Sequence, residues 1–229
     1  MSFSIGGLQR SSLLDYPGKI SAIIFTLGCN FRCGYCHNPE LTTLSAPKIS
    51  TQECFEFLKT RQGKLDGVVI TGGEPCLQSG LIDFIREIKS FGFLVKLDTN
   101  GSFPDVIEEL IEKKLIDYIA MDVKAPLYKY PLIVNSPVDT EKIKQSIRLI
   151  LNSGIDYEFR TTAVKSQLSF KDFEQTGKLI KGAKKYYLQK FEPSKILDKA
   201  LMSEKTYSNE EFEYIRQKLL RQIERIGIR

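Results

Sequence analysis

The sequence predicts an α/β fold built on a parallel sheet, and three observations predict it. Six short runs rich in β-branched or aromatic residues recur along the chain, several of them apolar almost throughout, as strands buried on both faces are. A helix-like stretch follows each run, and that alternation implies right-handed βαβ crossovers. No linker, low-complexity tract or shift in composition interrupts the 229 residues, so 1–229 reads as a single domain. Six units are too few to close an eight-stranded barrel, which leaves an open, partial barrel with outer helices or a doubly wound sheet.

The strands are expected at Ile20–Leu27, Gly67–Thr71, Phe93–Asp98, Tyr118–Asp122, Tyr157–Val164 and Lys185–Phe191. Between them, "STQECFEFLKTRQ" opens on Ser50 and Glu53 as a capping box. "GLIDFIREIKSFG" stops at Gly92, and "PDVIEELIEKK" carries Pro104 in its first turn. "DTEKIKQSIRLILNSG" stops at Gly154, and "SFKDFEQTGKLIKGA" follows the fifth strand. In the last helix, expected at about 208–226, Phe212, Ile215, Leu219, Ile223 and Ile226 recur at helical spacing as a core-facing stripe.

Composition narrows the function. Hydrophobic content of 42%, charged content of 27% and a net charge of +5 with both signs interleaved fit an ordinary globular protein without a nucleic-acid-binding stripe. The first residues lack the basic and apolar regions of a signal peptide, and the longest apolar run is far too short to span a bilayer. No nucleic acid, no membrane and a cytoplasmic setting are therefore expected.

Three of the five cysteines and the only histidine lie in "LGCNFRCGYCHNPEL" (27–41), directly after the first strand. A closed zinc site would need a fourth ligand. His37 is adjacent to Cys36, and neighbours rarely both turn onto one small ion. Cys54 and Cys76 stand alone and read as packing residues. Soft thiolates also suit iron–sulfur clusters, and a cubane held by three cysteines leaves one iron open to a substrate or cofactor.

"CNFRCGYC" resembles the CxxxCxxC motif of the radical S-adenosylmethionine (SAM) superfamily, with an aromatic residue, Tyr35, before the third cysteine. The resemblance implies a [4Fe–4S] cluster on Cys29, Cys33 and Cys36, with the amino and carboxylate groups of SAM on the open iron. One electron then splits SAM to methionine and a 5′-deoxyadenosyl radical, which abstracts a hydrogen atom. It also implies the partial (β/α)6 barrel, a radical SAM core over 1–229 with its cluster loop at 28–40.

Further motifs follow at later strand ends. Gly72, Gly73 and Glu74 in "TGGEPC" match the family segment that binds the SAM amino group. "LDTNG" and "AMDVK" resemble strand ends of glycyl-radical-enzyme activases such as the pyruvate formate-lyase activating enzyme. There the resemblance implies a monovalent cation held by Asp98, Thr99, Asp122 and the backbone of Ala120. It implies SAM contacts for Asp122, Val123 and Lys124. Thr162 in "EFRTTAV" and Gln189 in "YYLQKFEP" fall where the family contacts adenosine; Gln189 stands where the related activase has a histidine. Tyr35 and His37 are expected beside the adenosine.

"SLLDYPGKISAIIFTLGCNFRCGYCHNPEL" most resembles the activating protein of anaerobic ribonucleoside-triphosphate reductase. The implied function is installation of a glycyl radical on a partner enzyme, with anaerobic ribonucleotide reductase as partner and flavodoxin or ferredoxin as electron donor. No later cysteine cluster follows, so no auxiliary cluster is expected. Two rivals remain: a compact radical SAM enzyme acting on a small molecule, of the 7-carboxy-7-deazaguanine synthase type, and a non-catalytic iron–sulfur electron carrier.

Overall fold

The computed structural model describes residues 3–43 and 49–229. Strand order in the sheet follows chain order: β1 (Ile5–Ser12), β2 (Ser21–Thr26), β3 (Gly67–Gly72), β4 (Leu94–Thr99), β5 (Tyr118–Asp122), β6 (Asp156–Ala163), β7 (Lys185–Lys190) and β8 (Arg225–Ile228). Packing divides the chain into two compact units with interleaved segments, and β5 contributes residues to both.

The first unit holds β1 to β4. β2, β3 and β4 run parallel, with Ile24 beside Ile70 and Ile70 beside Leu97. These side chains are fully buried, as strands covered on both faces require. β1, at which the sequence predicts no element, pairs antiparallel with β2 and bulges twice. Its polar "GGLQRSS" run carries no apolar alternation, so a strand is invisible there. Helices α1 (Thr51–Lys59), α2 (Leu81–Ser90) and α3 (Pro104–Glu112) belong to this unit. Ser50 caps α1 through the Glu53 amide, and Gly92, at φ +87°, ends α2 in a conformation that other residues resist.

The second unit holds the parallel trio β6, β7 and β8, with α4 (Tyr130–Val134), α5 (Thr140–Asn152), α6 (Phe170–Leu179) and α7 (Asn209–Leu219). Reciprocal capping boxes open α6 (Ser169, Asp172) and α7 (Ser208, Glu211). The expected helix over 208–226 needs correction, because α7 stops at Leu219 and Arg225–Ile228 is a strand. Ile223 and Ile226 are buried, but Ile226 lies beside Tyr186 of β7 rather than on a helix face. Tyr187 crosses close above Gly227, where a Cβ would sit 2.5 Å from its ring.

Candidate active site

In the first unit, the site grows from the carboxyl ends of three parallel strands. β2 runs into Gly28, whose φ of +84° starts the cysteine loop. The Gly28 amide donates to the Leu41 carbonyl at 2.8 Å, and Cys29 donates to Thr42 at 3.3 Å. The Gly-Gly-Glu segment grips this loop: Gly73 N–H donates to Thr26 O and Glu74 N–H to Gly28 O, both at 2.9 Å. Space between the two backbones excludes any side chain. A Cβ on Gly72 would sit 2.3 Å from the Thr26 nitrogen, and one on Gly73 would sit 2.0 Å from the Gly28 oxygen. The paired glycines are thus required by close backbone approach, and what approaches is the cysteine loop.

Glu74 is fully buried. Its Oε1 accepts from the Cys76 amide at 3.0 Å and the Thr99 hydroxyl at 2.8 Å, joining the ends of β3 and β4. The Cys76 Sγ lies 3.7 Å from the Thr99 hydroxyl, and burial followed by the nearby Glu74 carboxylate pushes this thiol well above its ordinary value. Asp98 pairs with Lys96, two residues earlier and on the same strand face.

In the second unit, the loop carries Cys33, Tyr35, Cys36 and His37. Cys36 N–H closes a turn onto Cys33 O at 3.0 Å. Arg32 N–H donates to Val134 O of α4 at 2.8 Å, while the carbonyls of Gly34 and Cys36 accept from Asp198 and Leu197 at 2.8 and 3.1 Å. His37 is exposed, and its Nε2 lies 2.9 Å from the Glu192 carbonyl, so its contact is with the backbone after β7. Burial pushes the Cys33 thiol above its ordinary value, and the Lys124 ammonium acts against that shift. Tyr35 is buried with a hydroxyl that finds no hydrogen-bond partner among the described residues, and Lys124 Nζ lies 5.9 Å from its ring centre.

Asp122, at the end of β5, accepts from Arg160 Nε at 2.8 Å and from Lys124 Nζ at 2.9 Å. Burial alone would raise its carboxyl, but the two cations hold it well below the usual carboxylate range. Burial would lower the Lys124 ammonium, and Asp122 overrides this to hold it well above its usual value. Val123 is turned inward: its amide donates to Arg160 O at 2.8 Å and its carbonyl accepts from the Thr161 hydroxyl at 2.6 Å. Thr162 and Gln189 are direct neighbours across β6 and β7, both half-buried.

Sequence reasoning missed Lys96 and Arg160. The available signal was a cation inside an otherwise apolar buried strand, which needs a partner.

Three thiols within eight residues, at positions 29, 33 and 36, are the soft donor set that an iron–sulfur cluster takes. Among the described residues, no three or more His, Cys, Asp or Glu side chains gather as a ligand group for a metal ion. A cubane places a different demand, one thiolate per iron, and Tyr35's orphaned buried hydroxyl on the same loop marks a polar group awaiting a partner. The donor chemistry fits the cluster.

The radical SAM superfamily model matches residues 23–180. The chain belongs to the radical SAM superfamily, in its branch of glycyl-radical enzyme activating enzymes. A Methanocaldococcus jannaschii protein provisionally named a glycyl-radical enzyme activating enzyme is 40% identical over 206 residues, covering 86% of this chain and 84% of its own length. The pyruvate formate-lyase-activating enzyme of Clostridium pasteurianum is 32% identical over 126 residues, 52% of each chain. In fold, the chain is similar to Streptococcus suis SuiB bound to its precursor peptide SuiA, with a TM-score of 0.70 at 13% identity, over 90% of this chain and 48% of SuiB. No helix among the described residues is long and apolar enough to cross a membrane.

Proposed function

We propose that this enzyme installs a glycyl radical on a partner enzyme, and that the partner is an anaerobic ribonucleotide reductase. Cys29, Cys33 and Cys36 hold the [4Fe–4S] cluster. The bound cluster and SAM supply the electron and the hydrogen-abstracting group, with flavodoxin or ferredoxin as the electron source.

The chain's own residues bind and orient. Gly72, Gly73 and Glu74 fix the first turn of the cysteine loop and line the SAM amino group. Lys124 keeps one donor on Asp122 and offers the others to the SAM carboxylate. Arg160 acts through Asp122 as a positioning residue. Tyr35, Thr162 and Gln189 meet the adenosine. Val123 shapes the site through its inward packing against β6, and His37 closes the loop over the backbone at Glu192.

The observation that carries this reading is the three-thiol loop, anchored by backbone hydrogen bonds, inside the matched segment 23–180. Anaerobically reconstituted protein with SAM and a strong reductant is expected to release 5′-deoxyadenosine and methionine. Added anaerobic ribonucleotide reductase is expected to gain a glycyl radical, read by electron paramagnetic resonance. Cys33→Ala is expected to lose both the cluster's visible absorbance and SAM cleavage. Full cleavage by Cys33→Ala would overturn the cluster assignment, and absence of a glycyl radical despite cleavage would overturn the partner.

A further inference from the structure

Asp122 ends β5, and the two residues after it are tied through their peptide groups by buried side chains of the second unit. The Val123 carbonyl accepts from the Thr161 hydroxyl at 2.6 Å, and that hydroxyl accepts in turn from the Tyr186 hydroxyl at 2.7 Å. Each hydroxyl thus donates onward in one direction, from β7 through β6 to the end of β5, and bonds in such a chain strengthen one another. The Lys124 N–H donates to the Tyr130 hydroxyl oxygen at 3.1 Å. Tyr130, Tyr186 and Thr161 are buried almost completely, whereas Asp122 and Lys124 are half-buried. The ties are sealed, and the charged groups they serve stay partly exposed.

Tyr130 is the first residue of α4, and Val134, the last, accepts from Arg32 N–H of the cysteine loop at 2.8 Å. This short helix therefore joins the loop that carries Cys33 and Cys36 to the backbone that carries Lys124. Phenylalanine would fill nearly the same volume as either tyrosine, so packing alone calls for neither hydroxyl. What the hydroxyls add is a fixed orientation for two peptide groups. The Lys124 side chain follows its peptide. Its ammonium already spends one hydrogen on Asp122 at 2.9 Å, so the direction of the others depends on where the backbone is held. At a reacting centre, a misplacement of about 1 Å can cost about a hundredfold.

We propose that the hydroxyls of Tyr130 and Tyr186 are positioning groups for SAM: they fix the Val123–Lys124 backbone relative to the cysteine loop so that the Lys124 ammonium meets the SAM carboxylate. Tyr186 acts through Thr161 and Val123, and Tyr130 acts on the Lys124 peptide directly. The inference rests on the radical SAM reading of the site and deepens it.

The test measures binding of SAM and of 5′-deoxyadenosine, which lacks the carboxylate, to reconstituted holoprotein by calorimetry. The unfolding midpoint and SAM cleavage kinetics are read beside it. Tyr130→Phe is expected to bind SAM about tenfold more weakly, and 5′-deoxyadenosine within about twofold of wild type. Its KM for SAM rises while the cleavage rate at saturation holds. Tyr157→Phe is the matched control, because that hydroxyl also accepts a backbone N–H, from Lys184 at 3.1 Å, at the other end of β6. It is expected to lower the midpoint as Tyr130→Phe does, yet to leave SAM affinity within about twofold. Tyr186→Phe and Thr161→Val are each expected to weaken SAM about threefold, with Thr161→Ser restoring it and the double variant no weaker than Thr161→Val.

Equal losses for SAM and 5′-deoxyadenosine overturn the proposal, as does an equal loss of SAM affinity in Tyr157→Phe, since either marks a general structural cost. Unchanged SAM affinity in Tyr130→Phe or in Tyr186→Phe removes that residue from the role. Additive losses in the double variant overturn the relay through Thr161. If Tyr130→Phe does not fold, the Thr161 and Tyr186 variants decide. If wild-type holoprotein neither binds nor cleaves SAM, the functional reading itself fails and the proposal falls with it.

Discussion

Burial separates the five cysteines into two kinds. Cys54 is fully buried, and burial pushes its thiol up to about 12, while buried Cys76 is held well above its usual value. Thiolates react and thiols do not, so alkylation of the folded apoprotein at pH 8 is expected at Cys29 and Cys36, which are half-buried, before Cys54 or Cys76. Peptide mass spectrometry reads the order, and early labelling of Cys54 would contradict the packing described. Arg160 supports a second expectation. Arg160→Ala removes one of the two cations on Asp122, at a cost of about 1–3 kcal/mol by urea unfolding at pH 7. The Asp122 carboxyl is depressed in the folded state, so its contribution is fully present above the unfolded value of about 4 and fades as pH falls through the folded value. The gap between wild type and variant is therefore expected to narrow in acid. The cysteine triplet was legible in sequence because its members share one loop. Arg160 was not, because its partner lies 38 residues earlier and only the pairing of strands brings them together.

Among the elements, the tightest constraint is the contact of the Gly-Gly-Glu turn with the cysteine loop. Gly73→Ala would drive a methyl into the Gly28 carbonyl, and the backbone has no rotamer with which to yield. The expected loss is about 1–3 kcal/mol, seen as a midpoint lower by roughly 2–4 °C for each kcal/mol. Cluster absorbance per protein is expected to fall with it. Six strands were legible because parallel strands buried on both faces read as apolar runs. β1 and β8 were not. β1 is polar and sits at the sheet edge, while β8 is four residues of which Ile226 continues a helical spacing by coincidence. Only contact with β7 decides between helix and strand there, and contact is not local information.

For the molecule as a whole, SAM bound only by the native state adds stability by mass action. At about 100 times its dissociation constant the gain is about 2.7 kcal/mol. Holoprotein is expected to show this as a raised unfolding midpoint, and Cys33→Ala, without a cluster to engage SAM, to show little of it. The α/β class and the alternation of elements were legible from the 229 residues. The division into two compact units was not, since both are assembled from segments far apart in sequence.

The bonds from Leu197 and Asp198 onto the cysteine loop bear on when the enzyme can mature. Gly34 and Cys36 are held by residues some 160 positions later, and His37 meets Glu192. A ribosome emitting this chain releases all three cysteines some 160 residues before the loop's last clasps. Assembly factors delivering iron and sulfide would thus meet a nascent loop still lacking its clasps, and loading would favour a chain extended past residue 198. Stalling synthesis before and after residue 198 and measuring iron retained on each nascent chain would expose that timing.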